Sequence, residues 1–231
     1  MANRRSTNGG IERIYVWQLP VRLTHWLIFF SIIVLSATGY YIGHPFIGVS
    51  GPARDHFVMG TARAVHFYAA IVFTLSAAAR IYWMFAGNAY ARLTQFVPLA
   101  GERLRNLWQT ALFYAFIRRH PEAYPGHNAF AGAFYAMVFV VYVVMVATGL
   151  ALYTVVAAAG SPFRAFDFLV PLFYGLQMAR LIHHIGMWFL LIFAVAHIYF
   201  VLLSSLTERI GTVDSMFSGY KFLPKRRAGV R

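Results

Sequence analysis

Four long stretches without aspartate, glutamate, lysine or arginine determine the architecture of this chain. They cover residues 23–53, 64–79, 129–163 and 181–207. About 20 apolar residues cross the hydrocarbon core of a bilayer. The second stretch reaches this length through Arg80, whose long side chain can extend toward a membrane surface. The sequence therefore predicts an all-α membrane protein, a four-helix transmembrane bundle, with spans at about residues 23–42, 61–85, 129–155 and 181–205.

The composition agrees with one membrane domain over residues 1–231. Hydrophobic residues make up 60% of the chain and charged residues 12%, against about 25% charged in ordinary globular domains. Residues 102–120 mix arginines with leucine, tryptophan and phenylalanine, which predicts an amphipathic segment on the inner membrane surface. The opening segment is polar and shows no signal-peptide pattern, so we expect the first span to be retained.

The basic residues predict the orientation of the chain. Lysine and arginine concentrate before the first span, between the second and third spans, and after the fourth span. The other two connections hold only Arg54 and Arg63, then Arg164 and Arg180. The positive-inside rule therefore predicts that both termini are cytoplasmic. The net charge of +13 follows from these flanking residues, and the absence of interleaved base-stacking residues argues against nucleic-acid binding.

Four histidines fall at matched depths in the predicted spans. His183 and His197 are fourteen residues apart in the fourth span, which places them within about 40° of one helix face and about 21 Å apart. His25 begins the first span and His66 begins the second. With the N-terminus inside, the sequence predicts an outer pair, His66 with His183, and an inner pair, His25 with His197.

Paired histidines inside a membrane are typical of b hemes. A neutral imidazole in a low-dielectric site needs a partner for its ring nitrogens, and heme iron is such a partner. Iron bound by two histidines has no open position, so its use is electron transfer. The pattern predicts two stacked b hemes. For any one histidine alone, a hydrogen bond to a neighbouring helix is an equal alternative.

Three other residues are predicted to contact the hemes. Gly39 lies fourteen residues after His25, on the same face at the outer level, and Gly149 lies in a similar Thr-Gly context. A missing side chain lets a macrocycle approach the backbone, although close helix packing also explains such glycines. Arg80, fourteen residues after His66, is expected at the inner level, where it would meet a propionate of the inner heme.

Two further observations limit the chemistry of the chain. His184 points about 100° away from the neighbouring His183, so we expect a packing or hydrogen-bonding role rather than iron ligation, with proton handling as the alternative. The sequence contains no cysteine. It can therefore hold no thiolate-bound iron–sulfur cluster, and electrons must arrive from a partner.

Several motifs extend over nearly the whole chain. They are residues 15–26 (YVWQLPVRLTHW), 38–43 (TGYYIG), 56–60 (HFVMG), 65–67 (VHF), 80–83 (RIYW), 126–128 (GHN), 148–153 (TGLALY), 182–188 (IHHIGMW) and 215–220 (SMFSGY). Together they resemble the b-type cytochrome subunit of membrane-bound nickel–iron hydrogenases, which is related to the cytochrome b subunits of formate dehydrogenase and thiosulfate reductase. Residues 56–60 and the Gly-Tyr tail favour hydrogenase.

The resemblance implies a function. Such a subunit anchors a periplasmic hydrogenase in the bacterial inner membrane. It carries electrons from the iron–sulfur small subunit through two b hemes to quinone, while the nickel–iron large subunit cleaves hydrogen. The family's axial ligands fall on His25, His66, His183 and His197. A quinone site near the inner heme is expected, with candidate residues Arg22, His25, Arg80 and Asn88. The identity of the quinone and the formation of a higher-order oligomer stay open.

Three alternatives remain at the level of sequence. The chain could serve another quinone-linked oxidoreductase such as formate dehydrogenase. It could be a membrane transporter with a histidine relay, although its uncharged spans offer few polar groups for a path. It could also be a structural anchor for a soluble enzyme. The last two alternatives predict a protein without heme absorption.

Overall fold

The computed structural model describes residues 10–48, 50–52, 56–97, 101–115, 117–118 and 129–224. The chain divides into two compact units. We call Leu23–Tyr82 with Phe134–His197 the helical unit, and Met1–Arg22, Trp83–Ala133 and Ile198–Arg231 the terminal unit.

Helices make up most of the described chain. In chain order the elements are strand β1 (Ile11–Tyr15), helices α1 (Leu19–Gly43), α2 (Val58–Ala86), α3 (Gly101–Tyr114), α4 (Ala129–Thr154), α5 (Leu169–Leu172), α6 (Leu176–Glu208) and α7 (Ser215–Ser218), and strand β2 (Tyr220–Pro224). Short 3₁₀ turns at Leu93–Gln95 and Pro162–Phe166 join some of them.

Four of these helices are long and apolar enough to cross a membrane. They are α1, α2, α4 and α6, and this result covers the described residues. The prediction of four spanning helices is confirmed, and the predicted spans lie within these helices except for Val155, which follows α4. Pro20 is the second residue of α1, where its missing N–H would have no intrahelical partner in any case.

All four long helices meet in the core of the helical unit. Its central cluster takes residues from α1, α2, α4 and α6: Ile28, Phe73, Ala77, Val138, Tyr142 and Leu190. A methyl group added at Gly186 would lie 2.5 Å from the sulfur of Met145. The missing side chain therefore lets α6 approach α4 closely, as small residues do at helix contacts in membranes.

The outward faces of the same helices are also apolar. Phe30, Leu75, Val140 and Ile192 are each more than half exposed. Exposed apolar surface on this scale is rare in soluble monomers, whereas a lipid environment accepts it. The faces that leave the core therefore suit contact with hydrocarbon.

The two ends of the chain form a small antiparallel sheet in the terminal unit. Ile11 pairs with Pro224, and Tyr15 pairs with Tyr220. The chain is therefore mostly helical rather than all-α, since the all-α prediction did not include these two strands. Each run has only five residues, too few for periodicity to separate a strand from a loop, and the partner lies at the opposite end of the sequence.

A glycine holds this junction together. Gly219 has φ +88°, and its carbonyl accepts the backbone N–H groups of Val16 at 2.8 Å and Trp17 at 3.1 Å. An added Cβ would lie 2.6 Å from the Tyr15 ring. The indole N–H of Trp17 donates to Ser215 Oγ at 3.1 Å. Both strands and the residues around them therefore belong to one unit.

Helix α3 occupies most of the predicted amphipathic segment. It runs from Gly101 to Tyr114, with Leu104 and Trp108 exposed and Thr110 buried. Residues 116, 119 and 120 of that segment lie outside the described residues, as does the motif at 126–128.

Candidate functional site

The structure brings the four predicted histidines together in two pairs within the helical unit. The ring centroids of His66 and His183 are 6.5 Å apart with the ring planes at 57°. Those of His25 and His197 are 6.2 Å apart at 56°. We keep the names outer pair for the first and inner pair for the second, after their predicted depths. Both predicted pairings therefore correspond to neighbouring side chains.

This separation fits one metal ion between the two rings of each pair. A metal–imidazole bond is about 2.0–2.1 Å long, so two rings bound from opposite sides have centroids about 6.3 Å apart. Two imidazoles do not complete the coordination of a metal unless the metal carries its other ligands. Iron in a porphyrin does so, and it accepts two axial histidines. Both pairs thus fit the predicted heme.

Threonine hydroxyls hold the rings of the outer pair. Thr38 Oγ1 lies 2.9 Å from His66 Nδ1, and Thr148 Oγ1 lies 2.8 Å from His183 Nδ1. Thr148 is fully buried. The hydrogen bonds leave Nε2 of each ring as the nitrogen available to a metal, because the other ring nitrogen is engaged.

Glycines follow both threonines and give the rings room. A Cβ at Gly39 would lie 3.1 Å from His66 Cε1, and a Cβ at Gly149 would lie 3.4 Å from His183 Cε1. The sequence analysis placed these glycines beside a macrocycle. In the structure each one lies against the histidine that the preceding threonine contacts, so the Thr-Gly pair acts as one local device.

The inner pair has different neighbours. The Tyr135 hydroxyl and His197 Nδ1 share a hydrogen bond of 3.0 Å, and the Phe193 ring stacks on the His197 ring at 5.6 Å. His25 Nδ1 has no hydrogen-bond partner among the described residues. A phenol therefore contacts one ring of this pair, whereas the other ring lies edge-on to Trp26.

Arg80, predicted at the inner level, lies in the helical unit together with the inner pair. Its side chain is buried, and it is close enough to His25 to interact with it electrostatically. The guanidinium carbon lies 5.8 Å from the centroid of the Phe139 ring. A buried cation favours an anionic partner, and a heme propionate is of that kind.

His184 stands apart from both pairs. Its Nδ1 donates to the Arg180 carbonyl at 3.1 Å, one turn earlier in α6. Its ring lies edge-on to His44 at 6.2 Å, and a Cβ at Gly43 would lie 2.7 Å from its Nε2. These contacts agree with the packing and hydrogen-bonding role expected from the sequence.

Two of the candidate quinone residues have local structural bonds in the terminal unit. Asn88 Nδ2 donates to the Val16 carbonyl at 2.9 Å, and Asn88 Oδ1 accepts the N–H of Ala91 at 3.1 Å. Arg22 donates to the Phe217 carbonyl. Arg22 therefore joins the two chain ends, and Asn88 joins the segment after α2 to the N-terminal segment.

Sequence reasoning missed three residues that contact the histidines. Thr38 and Thr148 carried a signal, because each precedes a glycine that the analysis singled out, yet only the glycines were interpreted. Tyr135 carried no signal, since it is one of 14 tyrosines in the chain and has no distinctive neighbours in sequence.

Four membrane-crossing helices with two facing histidine pairs are the features of a membrane b-type cytochrome. A comparison with protein families agrees with this class. The chain belongs to the prokaryotic cytochrome b561 family, whose model matches residues 16–219.

Relatives with similar sequences carry a more specific name. A probable Ni/Fe-hydrogenase B-type cytochrome subunit of Cupriavidus necator is 37% identical over 220 residues, 92% of this chain and 88% of the relative. A probable Ni/Fe-hydrogenase 1 B-type cytochrome subunit of Escherichia coli K12 is 37% identical over 214 residues, 90% of each chain. Another probable Ni/Fe-hydrogenase B-type cytochrome subunit, from Azotobacter vinelandii, is 35% identical over 217 residues, 93% of this chain and 90% of the relative.

Proposed function

We propose that this chain is the membrane cytochrome b subunit of a nickel–iron hydrogenase and passes electrons from the hydrogenase to membrane quinone. The observation that carries the proposal is the geometry of the two histidine pairs, at 6.5 Å and 6.2 Å. Each pair would hold one heme b, with Nε2 of both imidazoles as axial ligands. The choice of a hydrogenase as the partner enzyme rests on the names of the relatives.

Heme b held by two histidines supplies reversible one-electron transfer without an open coordination site. The protein contributes positioning. Packing among α1, α2, α4 and α6 holds together the helices that carry the four imidazoles, and the threonine and tyrosine hydroxyls orient three of the rings. Apolar surroundings exclude water, which limits side reactions of the bound cofactor.

The positions of the ligands along α6 account for a path across the membrane. His183 and His197 are on one continuous helix, Leu176–Glu208, and fourteen residues of helix span about 21 Å. We propose that the outer pair faces the periplasm and receives electrons from the iron–sulfur small subunit. The electrons would then pass to the inner pair. The large nickel–iron subunit would cleave hydrogen outside this chain.

Quinone would react near the inner pair, close to the cytoplasmic surface of the bacterial inner membrane. His25 and Arg80 support this placement, since they provide an imidazole and a buried cation that interact electrostatically in the helical unit. The basic residues at the chain ends and between α2 and α4 support cytoplasmic termini by the positive-inside rule.

The proposal is tested with the purified full chain in detergent. We expect a reduced-minus-oxidised spectrum with b-type bands and a heme assay of two hemes per chain. A chain without b-type absorption would end the cytochrome interpretation and favour a histidine relay or a structural anchor. A single heme that survives substitution of either pair would contradict the assignment of two sites.

The donor is tested in membranes that contain the chain together with its enzyme partner. We expect hydrogen to reduce the b hemes, and formate to leave them oxidised. His184→Ala is the control variant, and we expect it to behave like the parent chain. His184 is next to a proposed ligand in sequence, but its hydrogen bond described above stays within its own helix turn. Reduction by formate and not by hydrogen would replace the hydrogenase with another oxidoreductase.

A further inference from the structure

The two histidines of the outer pair are held by the same arrangement on two different helices. Thr38 lies on α1 and Thr148 on α4. Thr38 Oγ1 donates to the Val34 carbonyl at 2.7 Å, and Thr148 Oγ1 donates to the Val144 carbonyl at 2.7 Å. Each hydroxyl also lies within 2.9 Å of a histidine Nδ1.

This arrangement determines where the protons are. A threonine hydroxyl has one hydrogen, and here the carbonyl one turn earlier accepts it. The hydroxyl oxygen must therefore accept the hydrogen bond from the imidazole, so Nδ1 carries the proton.

The inner pair has no such arrangement. The phenol of Tyr135 meets His197 Nδ1, and a phenol can donate or accept. His25 Nδ1 has no partner in the part of the chain that the structure describes. The threonine oxygen therefore fixes each outer imidazole as an Nδ1–H donor, whereas the described contacts of the inner pair include one hydroxyl, at His197, that can donate or accept.

We propose that Thr38 and Thr148 are positioning residues that fix the Nε2-ligating tautomer of the outer pair and hold the outer heme at a lower reduction potential than the inner heme. The proposal rests on the proposed function, because it presumes that the two pairs bind heme.

The physical basis is the basicity of the ligand. A hydrogen bond from Nδ1–H to an acceptor increases the electron density that the imidazole gives to a metal. Greater donation stabilises ferric over ferrous iron and lowers the potential. The outer pair has this bond on both rings, while the inner pair has fewer acceptors and the buried cation of Arg80 nearby, which favours the reduced state. The electron acceptor would thus lie at the inner pair.

The experiment measures the outer heme alone. In a His197→Ala background, which removes an inner ligand, the remaining heme is titrated by absorbance with and without Thr38→Val or Thr148→Val. Valine keeps the branched shape and removes the hydroxyl. We expect each valine variant to lower the preference for ferric over ferrous iron about tenfold, the lower end of effects from groups that bond metal ligands. A tenfold change of this preference raises the midpoint by about 59 mV.

Two matched variants separate a hydrogen bond from packing. Thr38→Ser and Thr148→Ser keep the hydroxyl, and we expect them to keep the original midpoint. Thr74→Val is the control for a membrane threonine, because Thr74 makes the same bond to a carbonyl one turn earlier, at 2.7 Å to Ala70, but is not among the histidine contacts described. We expect no change of midpoint in that variant.

Each outcome decides the proposal. A raised midpoint, or loss of the outer heme, in the valine variants with restoration by serine supports it. An unchanged midpoint in both valine variants overturns it, and so does a serine variant that behaves like valine. If the parent chain binds no heme, the proposed function itself fails. Heme at both sites with an outer potential equal to or above the inner one overturns only this inference.

Discussion

The outer and inner histidine pairs share one geometry and differ in what holds their rings. Their centroid separations are 6.5 Å and 6.2 Å, and their ring planes meet at 57° and 56°. Around the outer pair, two Thr-Gly steps supply a hydroxyl and an open space beside each ring. At the inner pair, Tyr135 and Phe193 contact His197, and the buried Arg80 interacts electrostatically with His25.

The comparison separates two functions of the protein around a cofactor. Ring separation determines whether a metal fits between the imidazoles, and both pairs meet this condition. Hydrogen bonds and nearby charge determine how the bound metal behaves, and here the pairs differ. Two sites of the same chemistry can therefore have different potentials without any change of axial ligand.

The largest expected effect is the loss of one heme from a chosen pair. His183→Ala removes a ligand of the outer pair and His197→Ala a ligand of the inner pair, and alanine offers no replacement for the axial nitrogen. We expect each variant to keep the other heme, as measured by heme content and by which potential remains. Normal heme content in either variant would show that its histidine is not a ligand.

A smaller effect is expected from filling the space beside the outer pair. Gly39→Ala places a Cβ 3.1 Å from the His66 ring, and such overpacking costs about 1–3 kcal/mol, partly offset by about 0.5–1 kcal/mol of helix propensity. We expect lower occupancy of the outer heme and an unchanged inner heme, measured by heme content and thermal unfolding.

Gly149→Ala is the matched variant for this prediction. Its Cβ would lie 3.4 Å from the His183 ring, an ordinary contact. We therefore expect heme content and unfolding temperature close to those of the parent chain. If Gly149→Ala loses the outer heme and Gly39→Ala does not, the space at these glycines does not have the role described.

A shift of potential without loss of heme is expected for Arg80. Arg80→Gln removes a buried positive charge close to His25, so the ferric state of the inner heme becomes relatively more stable. We expect its midpoint to fall by about 60 mV, a tenfold change in preference, in a redox titration. Arg80→Lys keeps the charge, so we expect the inner midpoint to fall less in that variant. An unchanged inner midpoint in Arg80→Gln would exclude contact with that heme.

The smallest effect is expected for Tyr135→Phe. It deletes one hydrogen bond to His197, about 1 kcal/mol, while the stacking of Phe193 keeps the ring in place. We expect both hemes to be retained, with a slight rise of the inner midpoint and no change of the outer one. A shift of the outer midpoint instead would reverse the comparison between the pairs.

Much of this architecture was predictable because membrane constraints are simple. Uncharged length predicts spans, and helical rise relates His183 to His197 by counting alone. The positions of His25 and His66 then predicted both pairings, and in the structure each predicted pair is adjacent. Arg80 was predicted at the inner level by the same count.

Features that depend on contacts between distant segments were not predictable from the sequence. The hydrogen bonds of Thr38 and Thr148 depend on how α1 and α4 are oriented about their axes. Uniformly apolar spans do not define this orientation in the sequence. Tyr135 meets His197 across 62 residues. The sheet of β1 and β2 joins runs that are each too short for a periodic signal.

The pairing of β1 with β2 also affects how the chain is made. Trp17 and Ser215 are 198 residues apart in the sequence, so Trp17 leaves the ribosome long before Ser215 is synthesised. The N-terminal strand stays unpaired until all four spans have been synthesised, and this closure is among the least local contacts of the fold. A product truncated before Gly219 would keep that strand open, and proteases and chaperones could distinguish it from a finished chain.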